Sequence, residues 1–227
     1  MMNLYRGKNT GMVILILSAI LLLAQGCEKE EDSKAHLEKG LDYLKKGEYD
    51  KAKLELKTSS QAGKDNAETY FALALLDEKN RQYKAMRENL QKTVELAPDH
   101  TEARLKFGKV LLLFNELNAA LDQANIILQG DKDNLDAAAL KASTFIRQKK
   151  EAEALSVIDN ILKANSNHTD ALSLKAMIFM EKGDLNQAYA LVDVALKADP
   201  KNIALHSFKI QLDAKKQNVD AVIADYQ

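Results

Sequence analysis

The stretch TEARLKFGKVLLLFNELNAALDQANIILQGDKDN, Thr101–Asn134, decides the fold. In its second half Leu117, Ala120, Leu121, Ala124, Ile127 and Leu128 fall at spacings of three and four, so they share one stripe of a helix. That stripe needs a partner to cover it. A loop follows it, ending at Asn134, so the segment reads as two antiparallel helices joined by a short turn.

The same pattern returns every 34 residues in both directions. Frames beginning at Ser33, Ala67, Thr101, Leu135 and Thr169 run without a gap to Asn202, and a sixth starts at Ile203 and stops at Gln227, its position 25. Position 8 holds Gly40, Ala74, Gly108, Ala142 and Ala176, small enough for two helix backbones to approach closely. Position 20 holds Ala52, Met86, Ala120, Ala154 and Ala188, small in all but the second frame. Pro98 and Pro200 stand at position 32, where a helix cannot continue, and Asn66, His100, Asn134, His168 and Asn202 occupy position 34. A hairpin of 34 residues cannot bury its own apolar face, so neighbouring frames must cover it.

Composition agrees. The 227 residues are 46% hydrophobic and 29% charged, with no Trp and only nine Gly and two Pro, too little punctuation for a sheet protein. A formal net charge of −1 supplies no large basic field for nucleic acid, and no nucleic-acid partner is expected.

Small residues at 8 and 20, aromatics at 11 or 17 (Tyr43, Tyr49, Tyr83, Phe145, Phe179) and proline at 32 resemble the tetratricopeptide repeat family from Ser33 onward. The family's Trp at position 4 is missing from every frame. The resemblance implies an all-α fold, a right-handed solenoid of antiparallel helix pairs, with five repeats over 33–202 and an incomplete sixth over 203–227. It also implies where ligands lie: against the first helix of each pair, contacted from positions 2, 5, 9, 12 and 13. Carried onto this chain, that wall holds Leu37, Leu41 and Leu44, then Phe71, Leu75 and Lys79, then Leu105, Lys109 and Leu112, then Ser143, Ile146 and Arg147, then Met177 and Met180. Members that clamp a C-terminal carboxylate use Asn at position 9, a column that reads Leu41, Leu75, Lys109, Ser143, Met177 and Gln211 here. An apolar floor with flexible methionines suits an amphipathic helix or an extended apolar segment of a protein partner, while the competing reading makes these side chains interhelical core.

Repeated acids at position 2, Glu68, Glu102, Asp136 and Asp170, read either as a row for a basic ligand or as first-turn carboxylates complementing the helix macrodipole by roughly 0.3–1 kcal/mol. The second reading needs no ligand. Histidines 36, 100, 168 and 206 include no pair at zinc-ligand spacing, and no Walker-type phosphate loop, GxSxG elbow or HExxH pair occurs. The chain is therefore read as a non-catalytic binding protein without metal or cofactor.

Residues 1–26 follow the order of a secretory signal: Arg6 and Lys8, the apolar run GMVILILSAILLLA over Gly11–Ala24, then small Gly26 before Cys27. The run is short for a membrane span, which needs roughly 20 apolar residues. AQGC resembles the lipobox of bacterial lipoproteins, whose cysteine is diacylated and becomes the mature N-terminus, although Ala24 and Gln25 depart from its commoner residues. Cys27 then reads as a lipidated anchor, or as an inert thiol on an uncleaved signal. A nucleophile is disfavoured, because Glu28, Glu30, Glu31 and Asp32 would raise its pKa. The acidic tether 27–32 would hold the repeats within about 20 Å of a membrane, on the periplasmic side of a bacterial envelope.

This layout, lipobox, short acidic tether and first frame EKGLDYLKKGEYDKAKLELK, resembles the long repeat lipoprotein of the exosortase (PEP-CTERM) sorting system. That implies a scaffold for surface-protein sorting or exopolysaccharide export. Repeat lipoproteins that support pilus secretins or outer-membrane assembly, and regulators of cell-wall enzymes, share the layout. At the other end Val219, Val222, Ile223 and Tyr226 form an apolar stripe with no following frame, from which further repeats or self-association are expected.

Overall fold

A computed structural model describes residues 31–62 and 65–216. The leader 1–26, Cys27 and the apolar stripe within 217–227 lie outside the described residues. Among those described there are helices and no strand. Helix α1 covers 31–46. It is followed by α2 (Tyr49–Ala62), α3 (Ala67–Lys79), α4 (Tyr83–Leu96), α5 (Thr101–Leu113), α6 (Leu117–Gly130), α7 (Leu135–Arg147), α8 (Glu151–Ala164), α9 (Thr169–Glu181), α10 (Leu185–Ala198) and α11 (Ile203–Lys215). From α3 on, each odd-numbered helix starts on the first residue of a frame. Helix α1 is already helical at Glu31 and Asp32, ahead of the frame start expected at Ser33. Asp32 there lies 3.6 Å from His36 one turn on.

Position 34 starts each first helix by capping it. Asn66, Asn134 and Asn202 accept the amides of Glu68, Ala137 and Leu205 through their side-chain oxygens at 2.9, 3.0 and 3.1 Å. His100 and His168 do the same through Nδ1, accepting from Ala103 and Ala171 at 3.4 and 3.3 Å. His100 and His168 are therefore N-caps, satisfying amides that the helix leaves without partners.

Position 15 ends each first helix. Gly47, Arg81, Asn115, Lys149 and Gly183 have φ of 75°, 56°, 59°, 60° and 82°. The next amide reaches back to the carbonyl at position 11, as from Lys150 to Phe145 and from Asp184 to Phe179, both at 2.9 Å. Together with the shorter bond from position 15 to position 12, Lys149 to Ile146 at 2.9 Å for example, this is a Schellman turn. Only two of the five residues are glycine. The other three hold a left-handed conformation that L side chains disfavour by roughly 1–2 kcal/mol.

The chain divides into two compact units, 1–103 and 104–227. In the first, Leu37, Ala52, Leu56, Ala72, Leu73 and Leu76 form the core, flanked by Tyr43, Leu44 and Tyr70. Three hydroxyls close its end: Ser33 and Ser59 each donate to the other's carbonyl at 2.9 and 2.8 Å, and Ser59 Oγ lies 3.0 Å from Thr69 Oγ1. Those bonds satisfy polar groups that are fully or almost fully buried. In the second unit Ala139, Ala142, Ala154, Ile158, Ile161, Ala171 and Ile178 form one core cluster, and Ala176, Ala188, Val192 and Leu212 another.

Small residues sit where the helices meet. Ala74, Ala142 and Ala176 at position 8, and Ala52, Ala120, Ala154 and Ala188 at position 20, have no solvent exposure. A Cβ added to Gly108 would stand 2.3 Å from Leu140 Cδ2, so a larger residue there requires the Leu140 side chain to move. The aromatic column at position 11 is interrupted by Asp77, Leu111 and Asp213, all buried. Asn89 Nδ2 donates to Asp77 at 2.8 Å, and the Tyr189 hydroxyl donates to Asp213.

Candidate functional site

In the first unit the expected wall divides between buried, half-buried and exposed residues. Leu37 packs among Ala52, Leu56 and Ala72. Phe71 is only 8% exposed, with its ring centroid 4.5 Å from that of His100. Leu44 and Leu75 are half-buried, whereas Leu41 and Lys79 are exposed. Leu37 and Phe71 are thus structural in this arrangement, because a first-helix position facing the neighbouring pair is covered by it.

In the second unit three successive first helices, α5, α7 and α9, leave a cavity of about 340 Å³. Of the expected residues it brings together Lys109, Leu112, Ser143 and Arg147. Leu105, Ile146, Met177 and Met180 are half-buried and do not line it; Ile146 and Met180 pack against the core clusters instead. The methionine-lined floor is therefore replaced by one of Leu112, Ala139, Leu140 and Leu174. Leu113, Asp170 and Ser173 complete the lining.

Sequence reasoning left Leu113, Ala139 and Ser173 off that wall, although they occupy positions 13, 5 and 5 of the same contact scheme, and it weighed Asp170 at position 2 only within the repeated row of acids. Leu140 and Leu174 stand at position 6, outside it. Their side chains reach the cavity because it lies between neighbouring first helices, and not over the crest of one.

Charge is unevenly placed. Lys109 Nζ donates to Asp170 Oδ2 at 3.3 Å, linking α5 to α9 across the intervening α7. Arg147, the last residue of α7, makes a long contact, Nη2 to Asn115 Oδ1 at 3.5 Å. Ser143 lies one turn before Arg147 on the same face. The lining is thus an apolar floor with two cations, one carboxylate and two hydroxyls, and the Lys109–Asp170 pair leaves a net charge of one positive.

Two of the other position 2 acids stand beside caps. His100 Nε2 lies 3.9 Å from Glu68, and His168 Nε2 lies 3.5 Å from Asp136. An imidazole that accepts an amide at Nδ1 carries its proton on Nε2, the side on which each carboxylate stands. Among the described residues no group of three or more His, Cys, Asp or Glu is placed to hold a metal ion, and no helix is long and apolar enough to cross a membrane.

Stacked helix pairs with a lined groove on their first helices define a repeat scaffold of the protein-interaction class. Sequence families agree: residues 67–100 match the tetratricopeptide repeat, with the same bounds as the second frame, and residues 113–212 match the N-terminal tetratricopeptide region of Psidin. The chain is a tetratricopeptide-repeat protein. No curated protein sequence matches it. Among solved structures, the pilF protein of Pseudomonas aeruginosa aligns with a TM-score of 0.61 at 18% identity, over 87% of this chain and 90% of that one. A tetratricopeptide protein from Parabacteroides merdae gives 0.65 at 16% identity, over 86% and 77%. YrrB, described as a tetratricopeptide protein with an unusual peptide-binding site, gives 0.61 at 17% identity, over 80% and 94%. At these identities the likeness is one of fold.

Proposed function

We infer that this chain is a non-catalytic adaptor that binds a protein segment in its first-helix groove while lipidated Cys27 holds it at the periplasmic face of a bacterial membrane. The observation that carries the binding role is the cavity between α5, α7 and α9, whose volume of about 340 Å³ falls at the lower end of ligand pockets. YrrB, with its peptide-binding site on the same fold, supports that role. The leader and AQGC motif support the anchor. Two or three acyl chains hold firmly where one binds reversibly. The resemblance to the exosortase-associated repeat lipoprotein favours service in envelope protein sorting or exopolysaccharide export. A support role for pilus secretins or outer-membrane assembly is the second reading, with the likeness to the pilF protein at 18% identity as its fold-level support.

Two measurements test the inference. Cys27→Ser should release the protein from membranes or leave it unprocessed; wild type at the unprocessed mass with an underivatised thiol refutes the anchor. Leu113 is 62% exposed on the cavity rim and Leu54 is 68% exposed on a second helix, so each tolerates a charge without unfolding. Leu113→Glu should abolish capture of the membrane partner and Leu54→Glu should not; equal capture by both moves the site away from the groove.

A further inference from the structure

Resting on the groove reading above, the charge on the cavity rim specifies what enters it. Arg147 presents a planar fork of donors whose contact within the protein is the 3.5 Å approach to Asn115. The acceptors that take two parallel N–H bonds from such a fork are carboxylate and phosphate, and among the unmodified side chains of a protein segment that acceptor is the carboxylate of Asp or Glu. Ser143, one turn earlier on the same face, adds a hydroxyl donor. Lys109 is already occupied by Asp170, which keeps the second cation from competing for the same anion. Beside the fork lies a floor of Leu112, Leu140 and Leu174 that rewards an apolar side chain.

We propose that the cavity between α5, α7 and α9 selects a partner segment in which an internal Asp or Glu stands next to a Leu- or Phe-sized residue, the carboxylate on Arg147 and Ser143 and the apolar side chain on the leucine floor. The acid is a side chain and not a chain end. Position 9 lacks the Asn of a terminal-carboxylate clamp, holding Lys109, Ser143 and Met177, and Leu113, exposed on the rim, offers apolar surface over which the segment continues past the cavity.

Titration calorimetry of the full chain tests this with four ten-residue peptides in a Ser/Gly frame: amidated Phe-Asp, amidated Phe-Asn, amidated Ala-Asp, and Phe-Asn with a free C-terminus. The Phe-Asp peptide should bind about tenfold more tightly than Phe-Asn, the value of one charge-assisted bidentate contact, and also more tightly than Ala-Asp. Arg147→Gln, at an exposed site, should erase the Asp-over-Asn preference. Asp170→Asn should raise Phe-Asp affinity several-fold and steepen its salt dependence, because it releases Lys109 as a second cation; a merely structural role of the pair predicts neither. Equal binding of Phe-Asp and Phe-Asn overturns the acid preference, and tighter binding of the free-acid peptide overturns the side-chain source. No measurable binding of Phe-Asp overturns the proposal outright, whereas the groove reading itself falls only if Leu113→Glu leaves partner capture intact.

Discussion

Lys109 and Asp170, separated by 61 residues and two frames, meet at 3.3 Å over the face of α7. Their side chains remain 58% and 49% exposed, so water screens the pair. Surface pairs of this kind are worth about 0–1 kcal/mol. A double-mutant cycle of Lys109→Gln and Asp170→Asn in urea should therefore return a coupling energy below about 1 kcal/mol. A larger value would make the pair a structural clamp and not an element of the binding site.

Three left-handed turns lack glycine. Lys149→Gly removes the steric cost of φ 60°, roughly 1–2 kcal/mol, while adding chain entropy to the unfolded state. The net should be a gain of about 0.5 kcal/mol, and Gly183→Ala, at φ 82°, should lose about 1 kcal/mol. Thermal or urea unfolding of the two variants checks both signs.

Packing at position 8 has no slack. Ala142 has no exposure, and Ala142→Leu should overpack its cluster at a cost of about 1–3 kcal/mol. Lys132→Leu, at an exposed turn position, should be near neutral. Equal losses of stability would mean that the helices meet in a different 34-residue register from the one described.

His168 caps α9 through Nδ1, accepting the amide of Ala171 at 3.3 Å. Replacing it with alanine leaves that amide without its acceptor and should cost about 1 kcal/mol. His168→Asn, which copies Asn134 and Asn202 at the same position, should restore the loss. Should His168→Asn unfold as readily as His168→Ala, the ring's packing and not its cap is what matters.

Asp77 is buried at a position where other frames place an aromatic, and burial pushes its carboxyl above the usual range while the Asn89 hydrogen bond pulls it back. A carboxyl whose folded pKa lies above its unfolded value binds more protons folded than unfolded. Stability then falls as pH rises from the ordinary carboxylate value, near 4, through the folded pKa. Asp77→Asn keeps an acceptor for Asn89 and removes the charge, so it should stabilise the protein at pH 7 and lose that advantage near pH 4. Unfolding curves at the two pH values that show the same difference between variant and wild type would refute the assignment.

What the sequence determined by itself is the periodic part. The 34-residue spacing, the small columns at 8 and 20 and the breaks at 32 and 34 are local statements about helix faces and helix ends, and from α3 on the first helix of each frame begins where those columns place it. Two features of that same local kind were hidden. Arg81, Asn115 and Lys149 carry left-handed turns that their residue types do not announce, and His100 and His168 act as caps although caps are usually Asn, Asp, Ser or Thr. The groove is another matter. Whether a first-helix residue faces solvent, cavity or core depends on the side chains of frames before and after it: Phe71 is closed off by His100, whereas Lys109, Ser143 and Asp170, 34 and 27 residues apart in succession, converge on one opening. Helical period places a residue on a face, but only the stacking of neighbouring pairs decides how much of that face remains open.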